Sequence, residues 1–279
     1  HVNSELGEQL LNLSGIGVRL NEEKSVHIAC YGRLRSRSEQ IAMTMPNIEL
    51  LVDRAISIRH PEIRGSLRSE HMTFSTPLGH LESLSGEVEA VYDRDSRVLT
   101  VTSVHLDSEN LTLKSRSGSA SPPLKMHFNA EGFVDLFSGT AGAQRFHLKL
   151  NDLMEATGTV KAETAETLEV NLNTLAVEMN LRNLWPLLPD LFELKPSFFS
   201  LEGVARVSGH LTGRLKENLW QWDGDLQTRL TEADVSVVAT GARGHGRVTA
   251  EIHVKGGLPA VETALTFRLD RADLAWKGM

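Results

Sequence analysis

Apolar residues recur at every second position in segment after segment of this chain, and that period of two constrains the fold more than any other feature. Leu124, Met126, Phe128 and Ala130 alternate with Lys125, His127 and Asn129. Successive side chains of a strand point to opposite faces, so this stretch has one oily face and one wet one. The same reading holds for Ile41, Met43 and Met45; Phe146, Leu148 and Leu150; Leu168, Val170 and Leu172; Val248, Ala250, Ile252 and Val254; and Val261, Thr263, Leu265, Phe267 and Leu269. Parallel α/β folds read differently, as continuous apolar runs separated by long helices. The pattern therefore predicts an all-β fold: an elongated, curled antiparallel sheet, jellyroll-like, whose apolar faces meet each other or line a groove.

Turn chemistry separates these segments at Asp93-Arg94-Asp95-Ser96, Ser115 to Pro123, Ser138-Gly139, Gly241 to Gly246 and Gly256-Gly257-Leu258-Pro259. Two short accessory helices are expected, over Glu131 to Phe137 and Asn183 to Phe192, with Pro186 and Pro189 limiting the second. The expected organisation is one elongated domain over 1–279, with a sub-boundary to look for near 115–123. Ser83-Leu84-Ser85-Gly86-Glu87-Val88 set beside Ser200-Leu201-Glu202-Gly203-Val204-Ala205 reads either as stacked similar β units or as chance likeness between strands.

Bulk composition bounds the function. With 41% hydrophobic residues in 279 the chain has material for a core, and its net charge of −7 is spread along the sequence without the basic stripe that nucleic acid leaves. Cys30 is the only cysteine, which excludes a disulfide framework. No apolar run reaches the length of a membrane-spanning helix. The chain opens at His1 in polar sequence and reads as a processed protein or an excised fragment.

Candidates for chemistry each have a plainer explanation. His127, His147 and His253 fall on polar positions of alternating strands, and His60, His71 and His80 lack metal-ligand spacing. Asp93-Arg94-Asp95 lacks the glycine and distal glutamate of a calcium loop. Gly241 to Gly246 precedes a strand, so no helix N-terminus follows to hold a phosphate. Arg33, Arg35 and Arg37 alternate as a charged face does. Trp220 and Trp222 share a face and pack into the sheet. No paired nucleophile and base is visible, and the expectation is a non-enzyme without cofactor or metal.

One stretch resembles a known family. Leu184-Trp185-Pro186-Leu187-Leu188-Pro189 precedes Leu201-Glu202-Gly203-Val204-Ala205-Arg206-Val207-Ser208-Gly209-His210-Leu211-Thr212-Gly213, and Trp220-Gln221-Trp222-Asp223-Gly224-Asp225-Leu226 follows. A proline-bearing helix, a glycine-spaced strand and a tryptophan strand in this order resemble the AsmA-like bacterial envelope proteins, of the TamB and YdbH types. The likeness is clearest over the last hundred residues or so, and that family's N-terminal membrane helix has no counterpart in this sequence.

The resemblance implies a sheet curled like a taco, a β-groove, whose apolar trough carries phospholipid acyl chains between the inner and outer membranes. It implies a periplasmic location with a tether to the inner membrane outside this chain, envelope proteins as partners at either membrane, and no catalytic residues. The expected lining is Ile41, Met43, Met45, Leu124, Met126, Phe128, Phe146, Leu148, Leu150, Leu168, Val170, Leu172, Val207, Leu226, Val248, Ile252, Leu265 and Phe267. The alternative is a structural or adhesive β-sandwich with closed cores that binds protein partners.

Overall fold

The computed structural model of the chain describes residues 2–6, 9–20, 25–36, 42–53, 62–76, 79–113, 121–164, 168–187, 199–216, 219–237, 242–257 and 260–275. They fall into two compact units, His1–Ser138 and Gly139–Met279. In the first unit the strands are β1 (Val2–Leu6), β2 (Gln9–Leu20), β3 (Val26–Ser36), β4 (Ala42–Asp53), β5 (Glu62–Thr76), β6 (Gly79–Asp93), β7 (Val98–Leu113) and β8 (Leu124–Asp135). The second unit holds β9 (Thr140–Leu150), β10 (Met154–Thr164), β11 (Leu168–Asn180), β12 (Phe199–Lys216), β13 (Leu219–Val237), β14 (Ala242–Gly257) and β15 (Ala260–Ala275). Of the stretch 115–123, where a sub-boundary is expected, residues 115–120 lie outside the described residues.

Within each unit every strand pairs antiparallel with its neighbours in sequence. Among the described residues the first and last strands of a unit do not pair with each other, so each unit is an open curled sheet and not a barrel. The predicted all-β class and antiparallel architecture are what the chain adopts.

The curl has a local cause. Register breaks recur at mid-strand in neighbouring strands of the first unit, between Ser14 and Gly17, Cys30 and Gly32, Ser69 and Met72, and Ser108 and Leu111. In the second unit they include those between Gly158 and Val160, Leu172 and Leu175, Glu202 and Val204, Leu230 and Ala233, and Arg247 and Val248. An extra residue on one strand bends it and raises its twist, so bulges aligned across strands crease the sheet. Two non-glycine residues hold the crease of β5 and β6 in the left-handed region, His71 (φ 55) and Ser83 (φ 53). A Cβ is disfavoured there. His71→Gly and Ser83→Gly are each expected to raise stability by about 0.5–1 kcal/mol, and Ser83→Val to lower it by a similar amount, in denaturant titrations.

Two expectations are corrected. Glu131 to Phe137 is not helical: β8 runs to Asp135, with Gly132, Phe133, Val134 and Asp135 paired to Val101, Thr100, Leu99 and Val98. Pairing along β7 overrides the local helical reading, and the chain turns only at 136–139. There the Asp135 carboxylate accepts from Phe137 N (2.8 Å), Ser138 N (3.2 Å) and Ser138 Oγ (2.7 Å). These bonds, the Ser138 hydroxyl first, hold its carboxyl below the usual carboxylate range. Nor are residues 242–246 a loop: they open β14, and Arg243, Gly244, His245 and Gly246 pair with both β13 and β15. Backbone ladders on both sides outweigh the turn preference of the glycines; Gly241 itself lies outside the described residues.

The second expected helix survives as one turn, α1 (Leu181–Leu184), followed by a 3-10 turn at Trp185–Leu187. Asn180 caps α1, its side chain accepting from Asn183 N at 3.4 Å. Residues 188–192 lie outside the described set. Asp93-Arg94-Asp95-Ser96 forms the expected hairpin turn, with Asp93 accepting from Asp95 N (2.9 Å) and Ser96 Oγ (2.7 Å).

Candidate functional site

Register assigns each strand residue a face, and the assignment is one-sided. In the first unit Ile28, Leu50, Leu67, Val88, Val104 and Ala130 are successive cross-strand partners from β3 to β8. A second row runs Cys30, Ile48, Ser69, Gly86, Leu106, Phe128 beside it. The reverse face carries Glu49, Arg68, Glu87, His105 and Asn129 in one line. In the second unit Leu148, Ala156, Val177 and Val207 form an apolar row that continues to Thr228, backed by Glu155, Glu178, Arg206 and Arg229 on the other side.

Apart from Ile41, and from Leu168, Leu265 and Phe267, of which only the backbone is described, the expected lining residues fall on these apolar faces by register. Met43 pairs with Phe74, Met45 with Gly32, Leu124 with Leu111, Met126 with Ser108 and Phe128 with Leu106. Phe146, Leu148 and Leu150 oppose Gly158, Ala156 and Met154; Val170 and Leu172 oppose Gly213 and Leu211; Val207, Leu226 and Val248 oppose Val177, Ile252 and Leu230. In the backbone ladder Leu168 pairs with Thr164, Leu265 with Ile252 and Phe267 with Ala250. Ile41 lies outside the described residues. Missing from the expectation are Ile48, Leu50, Leu67, Met72, Leu84, Val88, Val104 and Leu106 of the first unit, whose alternation the bulges interrupt.

Burial shows how these faces are covered. Among the described apolar residues the buried ones are Ile48, Met72, Leu84, Leu124, Leu153, Ala156, Leu181 and Ala205. Ile28, Leu50, Val88, Val104, Leu106 and Phe128 of the first unit and Leu148, Val177 and Val207 of the second are half-buried, and Leu67, in mid-row, is 40% exposed. Within each unit the described strands meet chiefly their sheet neighbours, and α1 packs on β12 and β11. Side chains shield one another by leaning over small neighbours: a Cβ on Gly86 would stand 2.8 Å from Leu106 Cδ2 and 2.9 Å from Met72 Cε, and one on Gly213 2.6 Å from the Trp222 ring. Trp222 thus packs on the apolar face, as expected of it, over a glycine of the adjacent strand.

The wet faces carry the charge. Arg206 Nε donates to Glu178 (2.7 Å) and Arg214 Nε to Glu169 (2.7 Å). Glu169 also accepts from Asn171 Nδ2 at 3.0 Å, and these two bonds, that of Asn171 first, hold its carboxyl below the usual range. His147 lies 2.8 Å from Glu155 and His253 2.7 Å from Asp225, while His127 pairs with Asp107. Arg33 and Arg35 align with Thr44 and Ala42 on the reverse side from Met43 and Met45. A shallow depression of about 500 Å³ lies among Glu155, Glu178, Arg206 and Arg229. It exists because the shorter Thr157, Ala176 and Ser208 sit in the row beside these long side chains. Exposed ion pairs of this kind contribute little to stability. Among the described residues no cluster of three or more His, Cys, Asp or Glu has the arrangement of a metal site.

The segments that carry the family resemblance fold as the α1 region, β12 and β13 in that order. Comparison with protein-family models, curated proteins and solved structures gives no match.

Proposed function

We propose that this chain is a lipid-binding domain of the bacterial periplasm, tethered to the inner membrane by a segment outside the chain, which accommodates phospholipid acyl chains along its apolar sheet faces for transfer between inner and outer membranes. One observation carries the reading: each unit presents cross-strand rows of mainly apolar side chains on one face, most of them only half-buried. Contiguous apolar area left open in this way marks a binding surface. A row from β3 to β8 spans roughly 24 Å at the usual strand spacing, longer than the ~15 Å that an acyl chain occupies in one leaflet. Each buried methylene contributes about 0.8 kcal/mol, so a chain along such a row gains on the order of 10 kcal/mol before ordering costs. No residue needs to act as acid, base or nucleophile.

The test is lipid extraction and native mass spectrometry of protein purified from bacterial envelopes without detergent. Phospholipid is expected to co-purify in stoichiometric amount. Protein that emerges free of lipid, and takes none up from vesicles, would overturn the reading.

A further inference from the structure

Hydroxyl groups interrupt both apolar faces, and one in each unit has no partner. Ser69 occupies the row Ile48, Ser69, Gly86, Leu106, at 2% exposure, and its Oγ makes no hydrogen bond among the described residues. Thr228 holds the corresponding kind of position between Val207 and Ala250, and its Oγ1 is likewise buried and unpaired. The contrast with Ser108 is direct. That serine is 3% exposed and faces Met126, but its hydroxyl donates to Glu82 O (2.9 Å) and accepts from Asn110 N (3.2 Å), so it serves a bulge. Ser69 and Thr228 do nothing of that kind, and alanine or valine would fill an aliphatic wall at lower cost, since a buried donor without an acceptor forfeits its hydrogen bonds to water.

The side chains beside Ser69's cross-strand partner are movable. The methyl end of Met72 and the branch of Leu106 lie over Gly86, the cross-strand partner of Ser69. Met72 is unbranched and adapts its rotamers readily, so a guest displaces a side chain there and not backbone.

We infer that Ser69 and Thr228 are polar anchor points inside the apolar faces, each donating its hydroxyl hydrogen to the ester carbonyl of a bound acyl lipid. The inference rests on the lipid-binding reading and deepens it by naming the two groups that would recognise the ester linkage, in preference to plain hydrocarbon. From Ser69 the row continues over Gly86 and Leu106 to Phe128, roughly 14 Å, which matches the length of an acyl tail whose carbonyl lies at Ser69.

The experiment compares methyl palmitate with hexadecane as probes, by native mass spectrometry under competition, in the wild-type chain and in the double variant Ser69→Ala/Thr228→Val. Wild type is expected to favour the ester, and the double variant to lose that preference by about tenfold while still binding hexadecane. Its melting temperature is expected to be unchanged or higher, because an unpaired hydroxyl has been removed; a fall would assign the two hydroxyls to the fold and overturn the inference. Equal preference for the ester in both proteins also overturns it, with the lipid reading intact. Failure of wild type to bind either probe removes the lipid reading itself.

Discussion

In the Leu67→Lys variant the lipid recovered with the protein is expected to fall at least about tenfold while the sheet stays folded. Leu67 stands in mid-row between Leu50 and Val88, so a tail lying across the strands covers it. At 40% exposure it contributes little to the empty protein, and a lysine there keeps its ammonium in water. Once a tail is laid over it, that ammonium must be desolvated without a partner, which costs well over the ~1.4 kcal/mol that a tenfold change in affinity represents. The control is Glu87→Lys, next to Val88 on the neighbouring strand and on the reverse face, beside Arg68 and His105. Its lipid content is expected to equal wild type. Circular dichroism and phospholipid quantification on both variants check the pair; equal lipid loss in the two would point to net charge and not to the trough.

The second unit was more legible in the sequence than the first because its strands keep one parity over longer runs between register shifts, which both units carry. Phe146, Leu148 and Leu150, and later Val248 and Ile252, keep one parity over long enough runs to declare a face. In β5 the apolar face is held by Leu67 and Ser69, then by Met72 and Phe74, a change of parity at His71. In β7 it passes from Leu99 and Val101 to Val104 and Leu106, then to Leu111. A period-two reading loses the thread at each jump, although a phase jump recurring in adjacent strands is itself the signature of a crease. Glu131 to Phe137 failed for another reason. Nothing local distinguishes that segment from a helical turn, and only its pairing with β7, more than thirty residues away at Val98↔Asp135, makes it a strand. Ser69 escaped notice because a lone serine in a strand has an exposed face as its ordinary place.

Leu84→Ala is expected to cost about 2–4 kcal/mol, the range for deleting a buried leucine side chain, and to lower the melting temperature of lipid-free protein by roughly 6–15 °C. Leu84 is 5% exposed and pairs with Met72, 4% exposed, where the left-handed residues His71 and Ser83 crease the sheet. By contrast Leu67→Ala is expected to cost under about 1 kcal/mol, because Leu67 is already partly in water. Under the proposed lipid reading, the first unit stabilises itself mainly at its crease and its flanking rows serve a guest. Binding to the folded state alone raises its apparent stability, so added phospholipid is expected to raise the melting temperature of wild type and of Leu84→Ala by similar amounts, and that of Leu67→Lys hardly at all. Thermal scans with and without phospholipid vesicles separate the two roles. If Leu84→Ala and Leu67→Ala proved equally destabilising, the division between a supporting crease and a receptive face would fail.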